Sequence, residues 1–556
     1  MRELLHGELR LLPLGGLGQV GMNCLALQAQ DGVLLIDCGT CFPEGDYGVD
    51  VIHPDFSWLF GGGKQRRLLG VFLTHGHEDH IGGLPYLLGR ANVPVWGPPH
   101  ALAMATRRLR EHNFNPESLQ LIPTEVRQRY EIGPFCVESF RVTHSICDAT
   151  ALAIETPAGM VVHSGDFKLD PEPSDGELTD VDGLRALGNR GVRLLLSDST
   201  NIDTQGHTLS EAEVAERLDV QIKTARERVV IGLFASNIQR LITIGRIARA
   251  RRRRICLLGR SLITQVEVGL SLGRLDWPSD LRIAPEQAQS FPRDELLVLA
   301  GGTQAEPGSS LYRLSRGEHH QLKLAPRDRV ILSSRVIPGN EREVSRLHDD
   351  FLRLGVDLVN RHTDRQIHAS GHAAREEQAE LMRLIQPRAF MPVHGTLHHL
   401  TRHAELAREL GIEQRLIIEN GNSALLSETS LERDVDFPSG AISVGFGGRA
   451  IDSESLRRRR ELGRGGVLFA SVVIDDRLKS LAAPAVSARG LPGLDDEEPV
   501  LRRLGKELER GLKQLAKGNR ERRASEIEGE LARILRRAAE EACGTRPRVE
   551  VHLIWR

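Results

Sequence analysis

Three imidazoles and one carboxylate stand within six residues of one another at His75, His77, Asp79 and His80, in the run Thr74-His75-Gly76-His77-Glu78-Asp79-His80. Imidazole nitrogens and carboxylate oxygens are the ligands that hold zinc and related divalent cations, and a glycine-containing loop lets them converge with little backbone hindrance. A lone histidine reads as a satisfied polar group, whereas four ligand-type side chains this close read as a metal site. The same residue types recur at the ends of later β-like runs. His144 follows Phe140–Thr143, Asp166 lies just after Met160–His163, and His394 closes Ala389–Val393. Five histidines and two aspartates suit two cations rather than one. Two cations a few ångströms apart generate a hydroxide near neutral pH, clamp a phosphate and stabilise the leaving oxygen of an in-line displacement, which is phosphodiester chemistry.

Other motifs carry less. Gly16-Leu-Gly18-Gln-Val-Gly21 matches a dinucleotide fingerprint, but two strand-like runs follow it instead of the helix that motif requires, so the segment reads as a β-hairpin. Cys38 and Cys41 have redox spacing without a second such pair, and all seven cysteines read as reduced thiols. Glu44, Asp46, Asp50 and Asp55 could hold a hard structural cation such as calcium, against the blander reading of a solvated acidic loop. Arg246, Arg249 and Arg251–Arg254, and again Arg457–Arg460, could grip phosphates or form solvated helix ends.

Ligands spread over hundreds of residues need strands that deliver them to one edge of a sheet. The first 200 or so residues alternate β-rich runs with turn signals, several ending in a polar or acidic residue, the pattern of an α/β sheet with its chemistry beyond the strand ends. Residues 206–365 change to long helical patterns with short strands and read as a second α/β unit. Residues 366–440 return to the first domain's texture, 441–465 read as a linker, and 466–556 as a small C-terminal α/β domain with two amphipathic helices. The chain's 556 residues, 40% hydrophobic and 27% charged, exclude a lone small module and global disorder. Seventy-three basic against 75 acidic residues make any polyanion surface local. No apolar run predicts a secretion signal or membrane span, and the expected location is the cytoplasm.

The H-x-H-x-D-H run, followed in order by a histidine, an aspartate and a late histidine, resembles the metallo-β-lactamase fold. In that family's hydrolases His75, His77 and His144 would hold one zinc, Asp79, His80 and His394 the other, and Asp166 would bridge them. The insertion before the final histidines, the acid in Leu196-Ser-Asp198-Ser-Thr200 and the histidine in Ser370-Gly-His372-Ala are similar to the β-CASP branch, which acts on nucleic acids. Within it, Leu14–Asn23, Phe234-Ala-Ser-Asn237 and His368-Ala-Ser-Gly-His372 resemble the bacterial RNase J family. The resemblance implies an αββα metallo-β-lactamase sandwich (1–205 and 366–440), an inserted β-CASP domain (206–365) and a C-terminal domain.

It also implies a ribonuclease with 5′-to-3′ exonuclease and some endonuclease activity, serving rRNA processing and mRNA decay. Two Zn2+ per subunit are expected, with Mn2+ admitted in turnover by the oxygen ligands. The expected partner is single-stranded RNA carrying a 5′ monophosphate, beside a homodimer or tetramer and other degradation factors, with no membrane. Ser236 and Asn237, with His368, Ala369, Ser370, Gly371 and His372, would form the pocket for RNA phosphates, as hydroxyl, amide, imidazole and freed backbone donors suit an anion nest. Asp198 and His372 are the candidates for proton transfer, with orientation of a metal-bound histidine as the alternative for Asp198; Asp37 is either a similar support or a strand-end cap. A DNA-directed relative and an inactive RNA-binding scaffold are the competing readings.

Overall fold

The computed structural model describes residues 2–30, 32–43, 45, 47–61, 66–337, 339–491, 498–517 and 523–556. They divide into two compact units, residues 1–44 with 51–442 and residues 45–50 with 443–556.

In the first unit, two sheets pack face to face. One has eight strands and includes Leu9–Gly15, Cys24–Ala29, Gly32–Ile36 and Arg67–Phe72; the other has seven and includes Phe135–Arg141, Thr150–Thr156, Gly159–His163, Leu194–Asp198 and Ala389–Val393. Side-chain alternation along each strand makes both faces apolar. Leu34 and Ile36 join Val137, Leu152, Val161, Leu194 and Met391 in the core between the sheets. Their neighbours Val33 and Leu35 point the other way, onto Leu84, Leu87, Ala101 and Leu102 of the helices outside. On the far side, Ala151, Val162, Leu195 and Phe390 meet Leu184, Leu381, Met382 and Leu406. The result is an αββα sandwich, and each such fully buried aliphatic side chain contributes about 1.5–3 kcal/mol.

Cys24–Ala29 and Gly32–Ile36 pair antiparallel as the hairpin read from the sequence, so the glycine motif before them opens no dinucleotide-binding helix. The chain then becomes parallel where it carries chemistry. Gly32–Ile36 pairs parallel with Arg67–Phe72, whose end leads into His75–His80. Gly159–His163, Leu194–Asp198 and Ala389–Val393 also run parallel, with His163 beside Leu196, Leu196 beside Met391, and Asp198 beside Val393. Asp166, Asp198 and His394 thus leave adjacent strands at one edge.

Residues 229–359 insert a six-stranded parallel sheet between two apolar layers, one centred on Val229, Ile231 and Leu297, the other on Val230, Val298 and Val330. The second unit contains the strands Val467–Ile474, Ala485–Arg489 and Arg548–Trp555. The helices Glu498–Ala516 and Ala524–Cys543 bury Leu504, Leu508, Leu531 and Leu535 against Leu468, Val472 and Val549 of that sheet. Residues 441–465, read as a linker from their Gly and Ser content, are regular structure. Ser443–Gly445 pairs antiparallel with Arg449–Ile451 around a glycine turn, and Asp452 caps the helix Ser453–Gly465 through Ser455 N at 2.8 Å. The glycines mark a hairpin turn, which composition alone does not separate from a flexible connection. Among the described residues no helix is long and apolar enough to cross a membrane.

Candidate active site

The parallel strand ends, with the antiparallel strand Phe135–Arg141 that leads to His144, bring all seven expected ligands together. His75, His77, His144 and Asp166 offer ligand atoms within 4.8 Å of one another, as do Asp79, His80, Asp166 and His394, so Asp166 belongs to both sets. His75 Nε2 and His144 Nε2 each lie 3.1 Å from His77 Nδ1. Nitrogens bound to one zinc at about 2.0–2.1 Å in tetrahedral geometry sit about 3.3 Å apart, so this trio has the spacing of a coordination face.

The ring orientations are fixed from behind. Asp37 accepts from Thr74 N and Thr74 Oγ1 at 2.8 Å each, and its Oδ2 holds His80 Nδ1 at 2.7 Å, turning His80 Nε2 toward Asp166 Oδ2 at 3.2 Å. Both roles considered for Asp37 are therefore filled by one carboxylate. His144 Nδ1 donates to the Gly371 carbonyl at 2.6 Å, which leaves Nε2 for the cluster. Such outer partners set the tautomer and orientation of a metal ligand. Gly371 is constrained in turn, because a Cβ there would stand 2.9 Å from His144 Cε1 and 2.8 Å from Ser145 Oγ.

The electrostatics separate the two sets. Burial, reinforced by the neighbouring imidazoles, holds His75 and His77 well below the usual histidine range and His144 at about 4, so their lone pairs are free. Burial acts the same way on His80 and His394, but the surrounding carboxylates, Asp166 first, outweigh it and raise both. Asp166 itself is pushed up by burial and pulled far below the usual carboxylate range by His394 and His80. His394 Nε2 is buried without a hydrogen-bond partner among the described residues and lies 3.5 Å from Asp79 Oδ2. An orphaned imidazole nitrogen beside a carboxylate, next to a second set of imidazoles held neutral, fits a divalent cation.

His372 and Asp198 close the cluster's other side. His372 Nδ1 lies 2.8 Å from Asp198 Oδ2, while Asp198 Oδ1 accepts from Thr200 N and Thr200 Oγ1. Burial lowers the His372 imidazole, but the Asp198 charge and hydrogen bond prevail and raise it to about 9. The two segments that carry the remaining expected residues meet at a ring contact. The Phe234 and His368 rings stand edge to face at 6.3 Å, joining the Phe234–Asn237 turn to the His368–His372 loop. Asn237 Oδ1 caps the helix Ile238–Ala250 through Arg240 N, Ala369 is buried, and Ser370 Oγ accepts from His372 N at 3.1 Å.

Sequence reasoning assigned no role to several residues that the fold brings here. Asn23 Nδ2 is 3.0 Å from His80 Nε2 and 3.3 Å from Asp79 Oδ2. Asn201 Nδ2 donates to the His372 carbonyl at 3.1 Å. Behind the loop, buried Arg240 donates to the Ile367 carbonyl and to Glu211, which also lies 3.7 Å from Lys168 Nζ. Asn23 lay within the Leu14–Asn23 motif; the others carry no spacing signal.

The arginine runs have structural work. Arg251 pairs with Asp219, Arg254 with Asp280, and buried Arg253 donates to the carbonyls of Ala225, Glu227 and Leu296, at the amino end of the strand Arg254–Leu258. That end is opposite the carboxyl edge from which the Phe234–Asn237 turn departs, so the run does not line the expected channel. Arg457 pairs with Glu461, Arg458 with Glu454, and Arg460 lies over the Tyr47 ring. Of the proposed acidic cation site, Glu44 and Asp46 lie outside the described residues and Asp55 Oδ1 caps Ser57 N. Cys38 and Cys41 are free thiols, and burial pushes both up, Cys41 to about 11.

Family comparison follows the same architecture. Residues 17–224 match the model of the metallo-beta-lactamase superfamily, 226–351 that of the ribonuclease J beta-CASP domain, 361–416 that of the Zn-dependent metallo-hydrolase RNA specificity domain, and 454–554 that of the ribonuclease J C-terminal domain. Ribonuclease J of Helicobacter pylori strain 26695 is 35% identical over 92% of this chain and 74% of its own. The chain belongs to the ribonuclease J family. Ribonuclease J of Mycobacterium tuberculosis is 37% identical over 91% of both chains, and ribonuclease J 1 of Streptococcus pyogenes 34% over 96% and 95%. A crystal structure of a protein of unknown function from Enterococcus faecalis aligns with a TM-score of 0.53 at 16% identity, over 75% of this chain and 100% of that one, and shares the fold. Ribonuclease J membership gives the enzyme class, a metallo-β-lactamase-fold ribonuclease, and the His/Asp cluster is its candidate divalent-metal centre.

Proposed function

We propose that this chain hydrolyses single-stranded RNA from its 5′ end, releasing mononucleotides, with internal cleavage as a secondary activity. The observation that carries the mechanism is the convergence of two ligand sets on the shared Asp166, beside His372 and Asp198. His75, His77 and His144 would hold one divalent cation and Asp79, His80 and His394 the other, with Asp166 between them; zinc suits the imidazole-rich set, and manganese is the alternative. When bound, such a pair supplies an acidified water as nucleophile and positive charge to offset the phosphodiester.

The chain's own residues do the rest. Asp37 and the Gly371 carbonyl hold His80 and His144 in register, which would aim their Nε2 atoms at the cations. Asp198 fixes His372 through Nδ1, which leaves Nε2 to deliver a proton to the departing 3′ oxygen. Ser236, Asn237, His368, Ala369, Ser370 and Gly371 would seat the phosphates of the terminal nucleotide through hydroxyl, amide and backbone donors. The working form is a cytoplasmic homodimer, in RNA maturation and decay.

Single-stranded RNA labelled at its 5′ end, carrying a monophosphate or a triphosphate, and a matched DNA would be incubated with and without chelator. Early labelled mononucleotide, favoured by the monophosphate and stopped by chelation, is the expected result. Internal fragments alone would convert the reading to an endonuclease, preferential DNA cutting to a DNA-directed nuclease, and tight binding without cleavage to a scaffold.

A further inference from the structure

The inserted sheet is parallel throughout, with Val229–Gly232, Arg329–Leu332 and Asp357–Val359 as consecutive neighbours. Ile231 stands beside Ile331, and Ile331 beside Val359. Open parallel sheets bind ligands beyond their carboxyl ends. From the first of these ends the chain reaches Phe234–Asn237, from the second Arg335, and from the third Arg361 and Arg365, on the way to His368–His372. The three arginines therefore extend the row in which the phosphate pocket lies. Arg335 Nη1 donates to Asn201 Oδ1 at 3.1 Å and Asn201 Nδ2 to the His372 carbonyl at 3.1 Å, so Arg335 is two hydrogen bonds from the loop holding the candidate acid.

All three arginines are exposed, and among the described residues no carboxylate lies within ion-pair reach of any of them. Asp364, in the same segment, is taken by Arg217 and Gln221. Some arginines elsewhere pair with acids, Arg251 with Asp219, Arg254 with Asp280 and Arg457 with Glu461. Other exposed ones, such as Arg246 and Arg327, have no such pair among the described residues, so what sets these three apart is their shared place beyond the strand ends. Partial burial, followed by the charges of Arg335 and Arg365, lowers the Arg361 guanidinium, so each of these two neighbours adds like charge beside Arg361. Like charges gathered without a counter-charge raise the energy of the empty protein, and a polyanion relieves it.

We propose that Arg335, Arg361 and Arg365 form a backbone-tracking subsite that grips phosphates of the RNA beyond the nucleotide in the catalytic pocket, independently of base sequence. The assignment rests on the RNA-hydrolase reading above and extends it to the strand outside the pocket. Because these guanidinium groups meet phosphates and not base edges, their contribution scales with RNA length and falls with salt.

The test measures binding of 5′-monophosphorylated, phosphorothioate-linked oligouridylates of about 15 and about three nucleotides at several salt concentrations, beside hydrolysis of ordinary RNA. A neutralised variant, R335Q/R361Q/R365Q, is compared with a charge-keeping one, R335K/R361K/R365K, and with R457Q/R458Q/R460Q as a control of equal charge loss. At about 0.7 per phosphate contacted on a single strand, the neutralised variant's slope of log K against log salt should fall by about 2, with at least a tenfold loss on the longer RNA and a several-fold smaller loss on the shorter. The lysine variant should keep most of the slope, which also shows that the fold survives at these positions. An unchanged slope in the neutralised variant, an equal loss in the control, or equal losses on both lengths would overturn the subsite while leaving the nuclease reading intact. A wild-type chain that neither binds nor cuts RNA would overturn the nuclease reading, and the subsite with it.

Discussion

Asp166 is the residue on which both ligand sets depend, whereas His80 serves one. Asp166→Ala should therefore abolish hydrolysis and empty both positions, and His80→Ala should abolish hydrolysis while removing about half of the bound metal, as read by elemental analysis of folded protein. Wild-type rates in either variant would refute the two-cation assignment. Asp37 touches no reacting group, yet it orients His80 and Thr74. Asp37→Ala should weaken metal affinity about 10- to 100-fold, with activity recovered at high metal concentration. Recovery separates loss of orientation from loss of fold. At this scale the sequence was most informative, because His75, His77, Asp79 and His80 share one loop and their spacing is itself the signal. Asn201 and Arg240 were invisible for the converse reason: neither lies in a chemically distinctive run, and each acquires its contact across more than a hundred residues.

The elements act by delivering side chains to one edge. Short continuous apolar runs and turn residues were enough to place the strands before His75, Asp166, Asp198 and His394, since strands covered on both faces are apolar along their length. That the last three of these strands are parallel neighbours was not written in the local sequence, because register between Val161, Leu194 and Ala389 is settled by packing between sheets. The His368–His372 loop shows the same division. Its motif implied the phosphate-seating role proposed above, but the hydrogen bond from His144 to the Gly371 carbonyl appears only in three dimensions. Gly371→Ala would place a methyl group 2.9 Å from His144 Cε1, so hydrolysis should fall by at least tenfold while the melting temperature moves little. A variant as active as wild type would show that the loop yields without disturbing His144. Residues 441–465 failed as a sequence reading because glycine marks tight turns and flexible connections alike.

Across the whole molecule, burial determines how stability responds to acid. His403 is fully buried, its Nδ1 faces Ser199 Oγ at 3.0 Å, and burial holds it at about 3; His100 is likewise held at about 4. In the unfolded chain these imidazoles take up protons near pH 6.5, whereas in the fold they stay neutral. Their contribution is complete above about pH 6.5 and is lost as pH falls from there toward the folded values of about 3 and 4. Each such histidine removes up to about 1.4 kcal/mol per pH unit within that window. His403→Gln should narrow the difference in melting temperature between pH 8 and pH 5, measured on metal-free protein; an unchanged difference would show that His403 is not held neutral.

By itself the sequence determined, through residue type and spacing, which ligand-type side chains are available, and its motifs carried the resemblance that implied the sandwich, its inserted α/β domain and the family. Tertiary structure alone decided how closely the two ligand sets approach around Asp166, how Asp37 and Gly371 aim their histidines, and which arginines lie beyond the strand ends without a carboxylate. Distances between residues hundreds of positions apart follow from sheet register and core packing, and no local pattern encodes them.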